Sequence, residues 1–223
     1  MRLVGLLICL ALAACGRSVP PGARIVVAGD SVMAWNRNSG GSVADNMSAL
    51  LREPVGDVAT SLARVTEGVG PLSIPSQVAR LSAEWVILDG GANDLREECG
   101  CTRCDTVLDE LVSEDGRSGA VPRLVAGLRG RGSKVIWADY YTAPRYAGTI
   151  CVGPYLEYEA RLMRMAARDE GVVLVDLAAV MPSSDLSLFA WDKIHPSPTG
   201  SARIARLLAD TLQAERAKRG GGR

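Results

Sequence analysis

Four residue types in this 223-residue chain stand where acyl-transfer chemistry needs them: Ser31, Asn93, Asp192 and His195. His195 is the only histidine, and it lies in "AWDKIHPSPTG" (190–200), three residues after Asp192. A carboxylate at that spacing can turn back on the imidazole, fix its tautomer, and leave the other ring nitrogen facing a nucleophile. Ser31 closes "GDS" (29–31), where a glycine permits a tight turn and a serine is held among free backbone N–H groups. Asn93 sits in "GAND" (91–94), from which its side-chain amide can donate to an oxyanion. Each piece has a bland alternative, a helix cap for Asp30-Ser31 or a turn for Gly91 to Asp94. Together they supply nucleophile, base, orienting acid and oxyanion donor.

Such residues are useful only if the fold gathers them. Five short apolar runs read as strands: 24–29, 53–59, 84–90, 133–140 and 171–177. Their unbroken hydrophobicity favours strands covered on both faces. Between them lie helical stripes, Val43/Met47/Leu50/Leu51, Val121/Leu124/Val125/Leu128, Tyr155/Tyr158/Leu162/Met165 and Ile204/Leu207/Leu208/Leu212. Alternating strands and helices predict an α/β fold, a three-layer α/β/α sandwich on a five-stranded parallel sheet with right-handed crossovers. Loops at the carboxyl ends of its strands then make the site, and "GDS" and "GAND" both follow strands at once.

The flanks carry other information. Residues 1–14 hold one arginine and an apolar run from Leu3 to Ala14, too short to span a bilayer and typical of an export signal. Its end, Leu12-Ala13-Ala14-Cys15, resembles the lipobox of bacterial lipoproteins, in which the cysteine is lipidated; an ordinary cleaved signal is the alternative. Residues 15–23 then form a linker, 24–213 the domain and 214–223 a flexible tail. The expected location is the cell envelope, lipid-anchored at its periplasmic face, with membrane contact through the anchor only.

Export brings oxidising conditions, so Cys99, Cys101, Cys104 and Cys151 are expected as two disulfides of undetermined pairing. A thiolate zinc site is the alternative for "CGCTRC", which would make the cysteines the functional centre in metal binding or thiol exchange. Basic and acidic residues balance at 25 each, so the charge footprint of a nucleic-acid binder is missing.

The blocks "GDS", "GAND" and "DKIH", in that order, resemble those of the SGNH (GDSL-type) hydrolase superfamily, from Arg24 to about Leu212. The resemblance implies a flavodoxin-like strand order and ester hydrolysis through an acyl-serine, without metal or cofactor. Ser31 would be nucleophile, His195 base and then acid, Asp192 its partner, and the Ser31 N–H and Asn93 the oxyanion donors. The family's second block supplies a glycine N–H to the same hole. Here that region reads "VATSLARVTEGVG", with Gly68 and Gly70 as candidates by type and Leu62 where the glycine of a related Gly-Ala-Arg segment stands. The expected substrate is a small acyl ester or an acylated glycan or lipid. Acyl transfer to another hydroxyl, and a catalytically degenerate domain serving as an envelope binding or assembly module, are the alternatives. Trp35, Tyr140, Tyr141 and Trp191 could supply apolar or sugar-stacking surface, and the cysteine loop could wall the pocket.

Overall fold

The first apolar run becomes β1 (Ile25–Ala28), with all four residues buried. The structure, a computed structural model, describes residues 19–220. The expected signal segment, Cys15 and the last three residues lie outside that range. Down the chain follow α1 (Ser31–Ala34), α2 (Val43–Leu51), β2 (Val55–Asp57), α3 (Ile74–Val78) and β3 (Trp85–Leu88). Then come α4 (Ala92–Glu98), α5 (Asp105–Leu111), α6 (Ala120–Gly130), β4 (Lys134–Ala138), α7 (Val152–Ala166), β5 (Val172–Val175) and α8 (Pro198–Gly220). Each expected strand is present, trimmed at its ends.

The sheet is wholly parallel in the order β2-β1-β3-β4-β5, the flavodoxin-like order. In register, Ile25 faces Val55 on one side and Trp85 on the other, and Leu88 faces Trp137. Because side chains alternate along a strand, Ile25, Val27, Ile87 and Ile136 point into one layer with α1, α2 and α8. Val26, Ala28, Val86, Val135 and Trp137 point into the other, with α3 to α7. Both faces are therefore covered, which is why the strands read as continuous apolar runs. Each fully buried Leu, Ile or Val in these layers contributes about 1.5–3 kcal/mol of hydrophobic stabilisation.

Two segments differ from expectation. The tail expected at 214–223 is helical as far as Gly220, since α8 continues through it. Ala214, Arg216, Ala217 and Lys218 are good helix formers, and Arg216 pairs with Glu53 before β2, which fastens the last turns to the sheet edge. Residues Asn93 and Asp94, with a turn as their bland reading, stand inside α4. Gly90 and Gly91 make the break ahead of it: Gly91 has φ +108, and a Cβ there would sit 2.5 Å from the Tyr158 hydroxyl. No helix of the described residues is long and apolar enough to cross a membrane.

Candidate active site

The chain leaves β1 through Gly29, whose φ of +119 and close approach to Asp89 leave no room for a side chain. Asp30 caps α1, accepting from the Val32 N–H at 2.9 Å, and its own N–H donates to Asp89 Oδ1 at 2.7 Å. Its second oxygen accepts from the Tyr140 hydroxyl at 2.6 Å. Ser31 opens the helix, 8% exposed.

The second part of the site arrives from the loop before α8. The Asp192 Oδ1 accepts from the N–H groups of Ile194 (2.9 Å) and His195 (3.0 Å), and Lys193 takes a left-handed φ of +58 to close this turn. Asp192 Oδ2 then lies 2.5 Å from His195 Nδ1. Burial opposes ionisation of Asp192, but the bonds from His195 and from the two backbone N–H groups outweigh it and hold its carboxyl below the usual range. An ionised Asp192 makes Nδ1 the donor, so Nε2 presents its lone pair. Nε2 is 2.8 Å from Ser31 Oγ, the distance at which the hydroxyl donates to it. Ser31, His195 and Asp192 are thus joined in one hydrogen-bonded row.

Asn93 is the second residue of α4 and 6% exposed. Its Nδ2 donates to the Ala63 carbonyl at 3.0 Å, which fixes the amide plane. Next to it, Asp94 accepts from the N–H groups of Val65 (3.0 Å) and Thr66 (2.8 Å), pinning the loop after β2 against α4. The start of the same loop runs beside the Gly29–Ser31 turn, with Thr60 N–H bonded to the Gly29 carbonyl at 2.9 Å. Two residues on, Leu62 has a left-handed φ of +67, while its side chain is 60% exposed. No acceptor for its backbone N–H occurs among the described residues. Gly68 and Gly70 lie further along. Gly68, at φ +126, shapes the turn that packs on Leu72, and neither it nor Leu62 lines the cavity beside Ser31.

That cavity encloses about 90 Å³ and is walled by Ser31, Asn93, His195, Arg96, Tyr140 and Tyr155 among others. Asp139, from the end of β4, also lines it and is 2% exposed. Burial pushes its carboxyl up to about 7, against the bond from the Tyr140 N–H and with the charges of Glu159 and Asp176 adding to the rise. Its Oδ2 has no partner among the described residues. Burial likewise raises Asp30 and, further, Asp89, where the neighbouring Asp30 charge contributes; two buried carboxyls this close cannot both ionise.

The cysteines pair as Cys99–Cys104 and Cys101–Cys151, so no thiolate is left among them for zinc. The cysteine loop does not itself line the cavity. Cys101–Cys151 ties it to the start of α7, whose Val152, Tyr155 and Leu156 do. Of the aromatic residues, Tyr140 and Tyr141 line the cavity, Trp191 stands 89% exposed, and Trp35 stacks on His195. Sequence reasoning missed that stack, although Trp35 follows Ser31 by four residues, one helical turn. It also missed Asp139 and Asp89, whose only signal was a position directly after a strand.

Comparison with known proteins bears on fold and family. Residues 27–203 match the GDSL-like lipase/acylhydrolase family. No curated protein matches the chain. Among solved structures, a protein from Slackia heliotrinireducens described as a candidate SGNH hydrolase is 22% identical, covers 85% of this chain and 98% of its own, and superposes with a TM-score of 0.61. A member of the lipolytic G-D-S-L family from Veillonella parvula is 13% identical (85% and 97% covered, TM-score 0.63). An active-site mutant of a family two carbohydrate esterase from Clostridium thermocellum is 17% identical (88% and 64% covered, TM-score 0.61). At these identities the structural likeness speaks for the fold, and the family match, which runs from β1 into α8 and takes in "GDS", "GAND" and "DKIH", speaks for descent. The chain belongs to the GDSL-like lipase/acylhydrolase family, within the SGNH hydrolase superfamily.

Proposed function

We propose that this hydrolase is a serine esterase working through an acyl-serine. The observation that carries the reading is the row Ser31 Oγ, His195 Nε2, His195 Nδ1, Asp192 Oδ2, with contacts of 2.8 and 2.5 Å at its two ends. His195 takes the Ser31 proton as Oγ attacks the ester carbonyl, then returns it to the leaving alcohol; water repeats the sequence on the acyl-enzyme. Asp192, held ionised, orients the ring and offsets the charge it gains.

Negative charge on the tetrahedral oxygen falls to the Ser31 N–H and to Asn93, whose second amide hydrogen has no partner among the described residues. For the third donor we favour the Leu62 N–H over that of Gly68. Leu62 holds the left-handed backbone that a glycine would take, two residues after Thr60, whose N–H is bonded to the Gly29 carbonyl, and its side chain is turned outward. A catalytically silent binding module would require Leu62 to spoil the hole, and its φ argues against that.

A cavity of about 90 Å³ ringed by tyrosines, Arg96 and the carboxyls of Asp139 and Glu159 suits a short acyl group on a polar alcohol, such as an acylated glycan, better than a long chain. The carbohydrate esterase among the structural neighbours is compatible with that choice. We place the enzyme in an oxidising envelope compartment, anchored by a lipidated Cys15; the apolar start and the two disulfides support this reading.

Hydrolysis of acyl esters of increasing chain length tests the function. Turnover highest for the shortest acyl groups, and absent in Ser31→Ala, is expected; undiminished turnover in the folded variant would end the proposal.

A further inference from the structure

We infer that Trp35 is a positioning residue: it holds the His195 ring and stabilises that ring when it is protonated. The catalytic consequence rests on the acyl-serine reading. Indole and imidazole are stacked with centroids 3.8 Å apart and planes 4° from parallel. Both edges of the imidazole are engaged by Ser31 and Asp192, so the indole supplies contact on the remaining dimension, a face.

The stack is built in from the backbone. Trp35 N–H donates to the Ser31 carbonyl at 2.9 Å, which keeps the indole one turn above the nucleophile. Asn36, left-handed at φ +63, donates from Nδ2 to the Pro196 carbonyl (3.1 Å) and to Ser201 Oγ (2.9 Å). The residue after the tryptophan is therefore bonded to the residue after the histidine. These bonds lock the two rings in register.

In acylation the Ser31 O–H bond breaks, its proton goes to Nε2, and the Oγ–C bond forms while the imidazole becomes a cation. The cation then protonates the departing alcohol oxygen. Water passes through the same sequence in deacylation, its proton going to Nε2 and on to Ser31 Oγ. Each transition state puts positive charge against the negative π-face of the indole, well within the 6 Å over which such attraction acts. The titratable and charged groups packed around the imidazole are Asp192 on its own loop, Asp30 at the start of α1, and Tyr141 after β4, whose hydroxyl donates to the Ile194 carbonyl.

Because the chain has one histidine, proton NMR titration of its imidazole C–H resonances reads this ring alone. Trp35→Leu is expected to move the midpoint to lower pH and to reduce kcat/KM about ten-fold through kcat, with KM nearly unchanged. Trp35→Phe keeps a weaker π-face and is expected to move the midpoint in the same direction by less. The displacement is also expected when Trp35→Leu is made in a Ser31→Ala background, where no turnover is needed to see it. Failure of the esterase reading and failure of this one are thus separate results. An unmoved midpoint in Trp35→Leu, a midpoint at or above the wild type in Trp35→Phe, or a loss confined to KM overturns the inference.

Discussion

Ser31 and His195 are 164 positions apart in the chain, yet Oγ of one lies 2.8 Å from Nε2 of the other. The distance is a product of the sheet. Ser31 begins the helix after β1, the second strand in the sheet order, and His195 enters from the loop between β5 and α8. Asn36, bonded to Pro196 and Ser201, clasps the two segments together.

Asp192 should be indispensable for turnover rather than for folding. Asp192→Asn would present an amide N–H to Nδ1, favour the wrong tautomer, and leave Nε2 protonated toward Ser31. A fall of about 10³–10⁴-fold in kcat is expected, with circular dichroism unchanged. A loss below ten-fold would show that Asp192 does not orient the ring.

Asp139 should make the fold less stable as pH rises. It keeps its proton in the folded chain up to about 7, whereas an unfolded aspartate releases it near 4. Its contribution is whole below about pH 4 and fades as pH climbs through about 7. Asp30 and Asp89, raised by the same burial, act in the same direction. Asp139→Asn removes its part of this slope: near-equal stability to the wild type at pH 4, and an advantage approaching about 4 kcal/mol at pH 8. Urea unfolding at several pH values checks it, and a gap independent of pH would contradict the assignment.

The Cys101–Cys151 bond closes a loop between positions 50 apart, so its removal should cost about 4 kcal/mol by chain entropy alone. Cys101→Ser/Cys151→Ser is expected to lower Tm and, because α7 begins at that bond, to raise KM for small esters more than it lowers kcat. Unchanged Tm and KM would mean that the staple supports neither the fold nor the cavity wall.

The layered fold was legible because parallel strands buried on both faces leave an unmistakable apolar run, as in "WVIL" of β3. Ser31, Asn93 and the Asp192-His195 pair were legible because each follows a strand or sits in a short local turn. Features that depend on tertiary packing were not. Helices α4 and α5 are seven residues each, rich in turn-forming or cysteine neighbours, and lack a long periodic stripe. Trp35 was visible as surface for stacking, but its partner proved to be a ring from the far end of the chain. Asp139 looks like any strand-ending aspartate until burial leaves one of its oxygens without a partner among the described residues. The loop after β2 was ambiguous because its backbone is set by φ, and the left-handed φ of Leu62 is one that residue type reports only loosely.

A fluorophosphonate reacts preferentially with an activated serine, and peptide mapping by mass spectrometry reports which residue is modified. The account predicts a single adduct on the peptide containing Ser31, lost in Ser31→Ala and strongly slowed in Asp192→Asn. An adduct on another residue, or a folded wild-type protein that takes up none, would contradict it.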